Sequence, residues 1–142
     1  MSALRRSCVV VAAALAVAWP ASGADSIAVI VHPSLEASAS EEDLARIFLR
    51  KRRFWSPGLA IVPVNRDATS EARARFTAVV FGNTARRLGT YWNQQYFLGV
   101  LPPATLASDE AVKRFVASEP GAIGYVRTDA LDGSVRVLLL LE

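Results

Sequence analysis

The chain has 142 residues, 52% of them hydrophobic, with 16 Lys and Arg against 13 Asp and Glu and a net charge of +3. One cysteine and one histidine exclude a disulfide framework and leave little material for thiol, imidazole or metal chemistry. The length suits one domain with one real core.

The first 24 residues read as a signal peptide. Arg5 and Arg6 form a basic start, and Cys8 to Trp19 is an apolar core too short to span a bilayer comfortably. Pro20 breaks it, and Ser22-Gly23-Ala24 offers small residues for cleavage after Ala24; the alternative is a retained membrane anchor. Residues 25–142 then form the domain. Two arginines leave with the signal, so 14 basic residues face 13 acidic ones and the net charge falls to +1. That balance gives no general attraction to nucleic acid. The domain has no cysteine and no second long apolar run, so the expectation is a periplasmic or secreted protein held by packing alone.

Ile27 to Val31 (IAVIV) is a continuous apolar run suited to a buried strand. His32 and Pro33 end it, and a lone histidine there reads as structural. Ser40 opens Ser-Glu-Glu-Asp: an N-cap, three acids in the first turn, and Asp43 at the capping-box position. Leu44, Ile47 and Phe48 give the stripe of an amphipathic helix. The helix runs into Arg50-Lys51-Arg52-Arg53. That run is either a patch for nucleic acid or anionic lipid, or a solvated helix end with cations at its negative pole. No repeated basic stripe or interleaved aromatic platform accompanies it, which favours the helix end.

Ser56-Pro57-Gly58 is a turn. Ile61, Val62 and Val64 then read as a buried strand, and Asn65 to Ala68 as a polar turn. Thr69 or Ser70 caps a helix whose apolar face is Ala72, Phe76, Val79 and Val80, closed by Gly82-Asn83. Thr84 is a cap for a further helix carrying Leu88, Tyr91, Trp92 and Gln95 on one face. Phe97 to Pro103 reads as an ordered loop. Ser108 starts a helix with Asp109 and Glu110 at its head and Val112, Phe115 and Val116 inward, and Glu119-Pro120-Gly121 stops it. Ala122 to Arg127 is a strand in which Gly124 allows close backbone approach. Asp132-Gly133 turns the chain into a last strand, Val135 to Leu141. The order β-α-β-α-α-α-β-β implies an α/β fold with helices on both faces of a sheet, a three-layer sandwich. Phe48, Phe76, Trp92, Phe115, Ile123 and Tyr125 are expected to share one core.

No Ser-His-Asp set with its supporting motifs, no metal-ligand spacing and no glycine-rich phosphate loop occurs, so neither catalysis nor a cofactor is expected. What remains is the mouth of the helix near Ser70. A helix N-terminus has unpaired N–H groups and a partial positive charge. Arg66, Thr69, Ser70 and Arg73 bring two hydroxyls and two guanidinium groups within eight residues of one another, which suits an oxyanion. Glu71 competes for the same field.

Four segments together resemble the phosphate-binding components of ABC transporters, within the periplasmic-binding-protein-like superfamily: EEDLARIFLRKRRFW (residues 41–55), IVPVNRDATSEARARF (61–76), YWNQQYFLGVLPP (91–103) and PGAIGYV (120–126). The resemblance implies one lobe of a periplasmic-binding-protein-like fold and a phosphate or similar oxyanion as ligand. In that family an Arg, an Asp and a Gly-Ser-Gly-Thr turn grip phosphate. Arg66 and Asp67 occupy similar places, and Ser70, Arg73 and Phe76 fit the helix start. Ala68-Thr69-Ser70-Glu71 replaces the glycine-rich turn, which limits how closely the backbone approaches an anion. Asp67 either accepts a hydrogen bond from a protonated phosphate or orients Arg66. One lobe makes half a cleft, so the implied partners are a membrane transporter or sensor, or a second lobe supplied by another chain. The competing expectation is an envelope interaction or sensory module that keeps the fold without the ligand.

Overall fold

The computed structural model describes residues 26–142. The expected signal peptide and its cleavage site lie outside the described residues.

Strand β1 (Ile27–Val31) is the second-from-edge strand of a five-stranded sheet, and every residue in it is buried. Helix α1 (Glu41–Phe48) follows, with the expected capping box: Asp43 N–H donates to Ser40 Oγ at 3.2 Å, and Ser40 N–H to Asp43 Oδ2 at 3.0 Å. Those bonds from Ser40 hold the Asp43 carboxyl below its ordinary pKa. His32 caps its own turn through Ser34, which matches a structural role.

Two short strands, β2 (Phe54–Ser56) and β3 (Leu59–Ala60), then form a hairpin around the expected turn at Ser56-Pro57-Gly58. They are short and mostly exposed, so no alternation marks them. Gly58, at φ 85°, makes the bend between them. Strand β4 (Val62–Arg66) leads to helix α2 (Glu71–Phe81), whose N-cap is Ser70. Asn65 and Arg66, expected in the turn, belong to β4. Gly82 closes α2 at φ 49°.

Thr84 is not the cap of a new helix. It sits inside a 3₁₀ segment, Gly82–Arg87, and its hydroxyl donates back to Phe81 O at 2.6 Å. Helix α3 (Leu88–Phe97) grows from that segment with no side-chain cap and no fully buried residue. Directly after the expected loop comes a third short strand that the sequence does not announce, β5 (Ala104–Leu106), which pairs in parallel with β4. Helix α4 (Asp109–Ser118), strand β6 (Ala122–Arg127), a 3₁₀ turn at Thr128–Ala130 and strand β7 (Arg136–Leu141) complete the chain.

The sheet order is β5-β4-β6-β1-β7. β5, β4 and β6 run parallel, while β1 is antiparallel to both β6 and β7. The two-residue period of the strands sorts side chains onto two faces. Ile27, Val29, Val31, Ile123 and Tyr125 pack with Leu44, Ile47, Phe48, Ala72 and Phe76, under α1 and α2. Ala28, Ile30, Val64, Ala122 and Val126 pack with Val112 and Val116 of α4 on the opposite face. The fold is therefore α/β, with a central sheet between helices, and it has two cores where one was expected. Phe48, Phe76, Ile123 and Tyr125 share the first. Phe115 is partly buried against the second, and Trp92 belongs to neither, because α3 stands beside the sheet and not on it.

Gly124 has the packing reason anticipated for it. A Cβ there would meet Val112 Cγ1 at 2.7 Å and Val64 Cγ2 at 3.0 Å, so its absence lets α4 press onto β6.

Candidate anion-binding site

Because β4 and β6 are parallel neighbours, their C-terminal ends lie together, and the helices that begin just after β4 and β5 open at the same edge. An open cavity of about 460 Å³ results, lined by Arg66, Ser70, Glu71, Ala72, Ser108, Asp109, Glu110, Arg127 and Ala130. Two helix N-termini meet there. Each is capped by a serine: Ser70 Oγ accepts from Arg73 N–H at 3.0 Å, and Ser108 Oγ from Ala111 N–H at 3.0 Å. A neighbouring depression continues along α2 and shares Glu71, Ala72 and Arg127.

Arg66 is the central cation. Its side chain is 12% exposed, and its guanidinium is ion-paired with the Asp109 carboxylate. It also lies 3.5 Å from Asp67 Oδ1 and donates to Ala107 O at 3.4 Å. The backbone beneath it is pinned by Tyr125. That phenol accepts from Arg66 N–H at 3.2 Å and donates to Asn65 Oδ1 at 2.9 Å. Burial pushes the Tyr125 hydroxyl up to about 12, so it stays a neutral donor. The Tyr125 ring in turn stacks on Phe76 of α2, with centroids 4.0 Å apart and planes 4° from parallel. The aromatic core and the strand end are thus one mechanical unit.

Of the five residues expected at the site, Arg66 and Ser70 line the cavity. Asp67, Thr69 and Arg73 do not. Asp67 stands beside Arg66, its other oxygen accepting from the Thr69 hydroxyl at 3.1 Å, in the place of an orienting group. Arg73 turns back to donate to Arg66 O at 3.0 Å and so braces the end of β4.

The sequence reading missed Asp109 and Arg127 as site residues. In the sequence Asp109 marks only a helix head and Arg127 only a strand end. In space the Asp109 carboxylate, with its side chain 11% exposed, lies between the Arg66 guanidinium and Arg127 Nε, the latter at 3.3 Å. Arg127 also faces Asp129 at 3.6 Å. Only the strand order brings these groups to Arg66. Glu71 borders the same cavity, while Glu110 is paired with Lys113 at 2.7 Å. Electrostatically the cavity already holds a carboxylate: the guanidinium groups of Arg66 and Arg127 share Asp109, the first residue of α4. Any external anion competes with that carboxylate. Among the described residues, no group of three or more His, Cys, Asp or Glu is placed to hold a metal ion, and no helix is long and apolar enough to cross a membrane.

No protein-family model matches the chain, and no curated protein matches it in sequence. Solved structures do match in fold. A phosphate ABC-transport receptor from Vibrio cholerae superposes with a TM-score of 0.61 at 18% identity, over 79% of this chain and 44% of its own. A protein assigned to phosphate ABC transport from Clostridium perfringens, crystallised with bound phosphate, gives 0.61 at 22% identity, over 79% and 43%. PstS from Borrelia burgdorferi gives 0.62 at 17% identity, over 80% and 46%. The chain spans less than half the length of each of these proteins. It therefore has the fold of one lobe of a periplasmic-binding-protein-like receptor, as found in the phosphate-binding components of ABC transporters.

Proposed function

We propose that this protein is a non-catalytic oxyanion-binding protein of the phosphate-receptor type, exported to the periplasm. One observation carries the reading: Arg66, Arg127 and the N-termini of α2 and α4 converge on a single open cavity. The ligand class is a tetrahedral oxyanion such as phosphate, held by Arg66 and by the backbone and hydroxyl groups around Ser70 and Ser108. Asp67, Thr69 and Arg73 support Arg66 and the turn. Bound phosphate in the structurally similar Clostridium perfringens protein adds to this reading.

Affinity is expected to be modest. A one-sided site leaves much of the ligand's hydration in place, and Asp109 competes for both arginines. A second surface from another chain, either a transporter, a sensor or a second lobe, would enclose the other side. The alternative, an envelope interaction or sensory module that has lost the ligand, is favoured by the two carboxylates, Asp109 and Glu71, that line the cavity.

Isothermal titration of the protein with phosphate and sulfate separates the two. The oxyanion reading expects saturable binding that Arg66→Ala weakens by about 1.5–3 kcal/mol, the range for a hydrogen bond to a charged group. No heat with either anion at millimolar concentration, in the wild type and in Glu71→Gln alike, would leave the interaction module as the better account.

A further inference from the structure

We propose that the basic end of α1 and the apolar turn after α3 together form a docking surface for an anionic lipid bilayer. This surface lies at the N-terminal end of β4, away from the oxyanion cavity at its C-terminal end, and it does not depend on that cavity's reading.

The apolar half is a run of consecutive side chains that the fold leaves uncovered. Phe97 is 86% exposed and Leu98 74%, with Tyr96 and Leu101 also exposed. Single exposed leucines are ordinary, but a contiguous set on one turn marks an interaction face. A groove of about 390 Å³ adjoins this turn: Gly99, Val100 and Leu101 line it together with Phe54, itself 58% exposed, and with Arg50, Arg52 and Arg53.

The basic half is a built cluster and not a loose helix end. Arg50 has φ 61°, which a non-glycine residue rarely adopts. Its strain is held in place by the N–H groups of Lys51 and Arg52, which both donate to Arg46 O, at 2.8 and 3.2 Å. Arg53 Nε donates to the Arg50 backbone carbonyl at 3.2 Å, which holds the Arg53 side chain against this turn. Arg50 Nε is buried with no hydrogen-bond partner. Of the four cations from Arg50 to Arg53, only Arg52 has a carboxylate within ion-pair distance among the described residues, Asp43 at 3.7 Å. Lys51 lies 5.6 Å above the Tyr91 ring and Arg52 lies 5.4 Å above the Trp55 ring. Burial first, and then the neighbouring Arg53 charge, lower Arg50 from its ordinary pKa.

Charge complementarity selects the occupant. A second copy docked on the same face would bring these cations against one another, so self-association here is opposed. A bilayer with anionic headgroups meets both halves without a shaped complement: phosphates face the arginines and Lys51, and Phe97 and Leu98 enter the acyl boundary.

The test uses protein recovered from the envelope of an expressing bacterium, with its N-terminus read by intact mass. It is sedimented with vesicles of pure phosphatidylcholine and of phosphatidylcholine mixed with phosphatidylglycerol. Binding is expected to the mixed vesicles alone, and added salt should release it. Lys51→Gln with Arg53→Gln should lower partitioning by roughly thirtyfold, from two surface cations lost. Phe97→Ser with Leu98→Ser should lower it by roughly tenfold or more. These four side chains are exposed, so both double variants should keep the wild-type circular dichroism and melting midpoint. Equal binding to both vesicle types, no binding to either, or binding that neither double variant weakens would overturn the proposal. So would retention on polyglutamate without vesicle binding, which would assign the face to an acidic protein. A dimer in light scattering that Phe97→Ser abolishes, with no vesicle binding, would assign it to a second copy and equally overturn it.

Discussion

Phe76→Ala tests whether the aromatic core and the candidate site are one unit. Phe76 is 1% exposed, stacks on Tyr125 at 4.0 Å and meets Phe48 at 4.7 Å. Truncating a buried phenylalanine costs about 3–5 kcal/mol. Two aromatic partners, each adding about 0.5–1.5 kcal/mol beyond burial, place this site in the upper half of that range. A domain of this size has roughly 5–15 kcal/mol in total, so the variant keeps little reserve. With a urea slope of about 1.5 kcal/mol per molar, the midpoint should fall by about 3 M with the slope unchanged. Circular dichroism at increasing urea reads this directly. Tyr125→Phe keeps the ring stack but strands Asn65 Oδ1 and Arg66 N–H, at a cost of about 1–3 kcal/mol. The two changes share a contact, so their costs should not add. A Phe76→Ala midpoint shift below about 0.5 M would refute the packing. Strict additivity with Tyr125→Phe would refute the coupling between core and strand end.

Three further outcomes follow from the geometry. Tyr125 is favoured as a neutral phenol in the fold, so its contribution is whole below the unfolded phenol's pKa near 10. It is lost as pH rises toward about 12. Chemical denaturation between those values should show about 1–3 kcal/mol of stability disappearing in the wild type, and a flatter profile in Tyr125→Phe. Gly124→Ala places a Cβ 2.7 Å from Val112 Cγ1 and should cost about 1–3 kcal/mol by overpacking, read as a lowered denaturation midpoint. Intact mass of the envelope fraction should give a chain starting at Asp25, whereas full-length protein in the cytoplasm would sink the export proposal.

The elements that bury a regular apolar face were legible in the sequence. Ile27–Val31, the Leu44/Ile47/Phe48 stripe, the strand into α2, and Ala122–Arg127 all carry their period and caps within themselves. The hairpin at Phe54–Ala60 and strand β5 were not, because two or three exposed residues carry no period and are strands only through their neighbours. Trp92 reads as core because it shares a helical face with Tyr91 and Leu88, yet that face is only partly buried and meets the end of α1, where Tyr91 donates to Leu49 O, and not the sheet. The candidate site divides the same way. Arg66 and Ser70 announced themselves beside a helix start. Asp109 and Arg127 are 43 and 61 positions from Arg66, and only the parallel pairing of β4 with β6, and of β4 with β5, brings them to it. Thr69 and Arg73 had the right chemistry in the right turn, but their side chains are committed to Asp67 and to Arg66 O.

The resident carboxylate offers the most direct test of oxyanion binding. Phosphate is titrated calorimetrically into the wild type, Arg66→Ala, Glu71→Gln and Asp109→Asn, with Arg52→Ala as a control outside the cavity. If the cavity takes an oxyanion, Arg66→Ala weakens binding by about 1.5–3 kcal/mol. Glu71→Gln strengthens it by about 0.3–1 kcal/mol, as a like charge leaves the helix mouth. Asp109→Asn strengthens it further, because both guanidinium groups lose their competing anion, and Arg52→Ala changes little. No phosphate binding in Asp109→Asn, or binding that is indifferent to Arg66, would contradict the account.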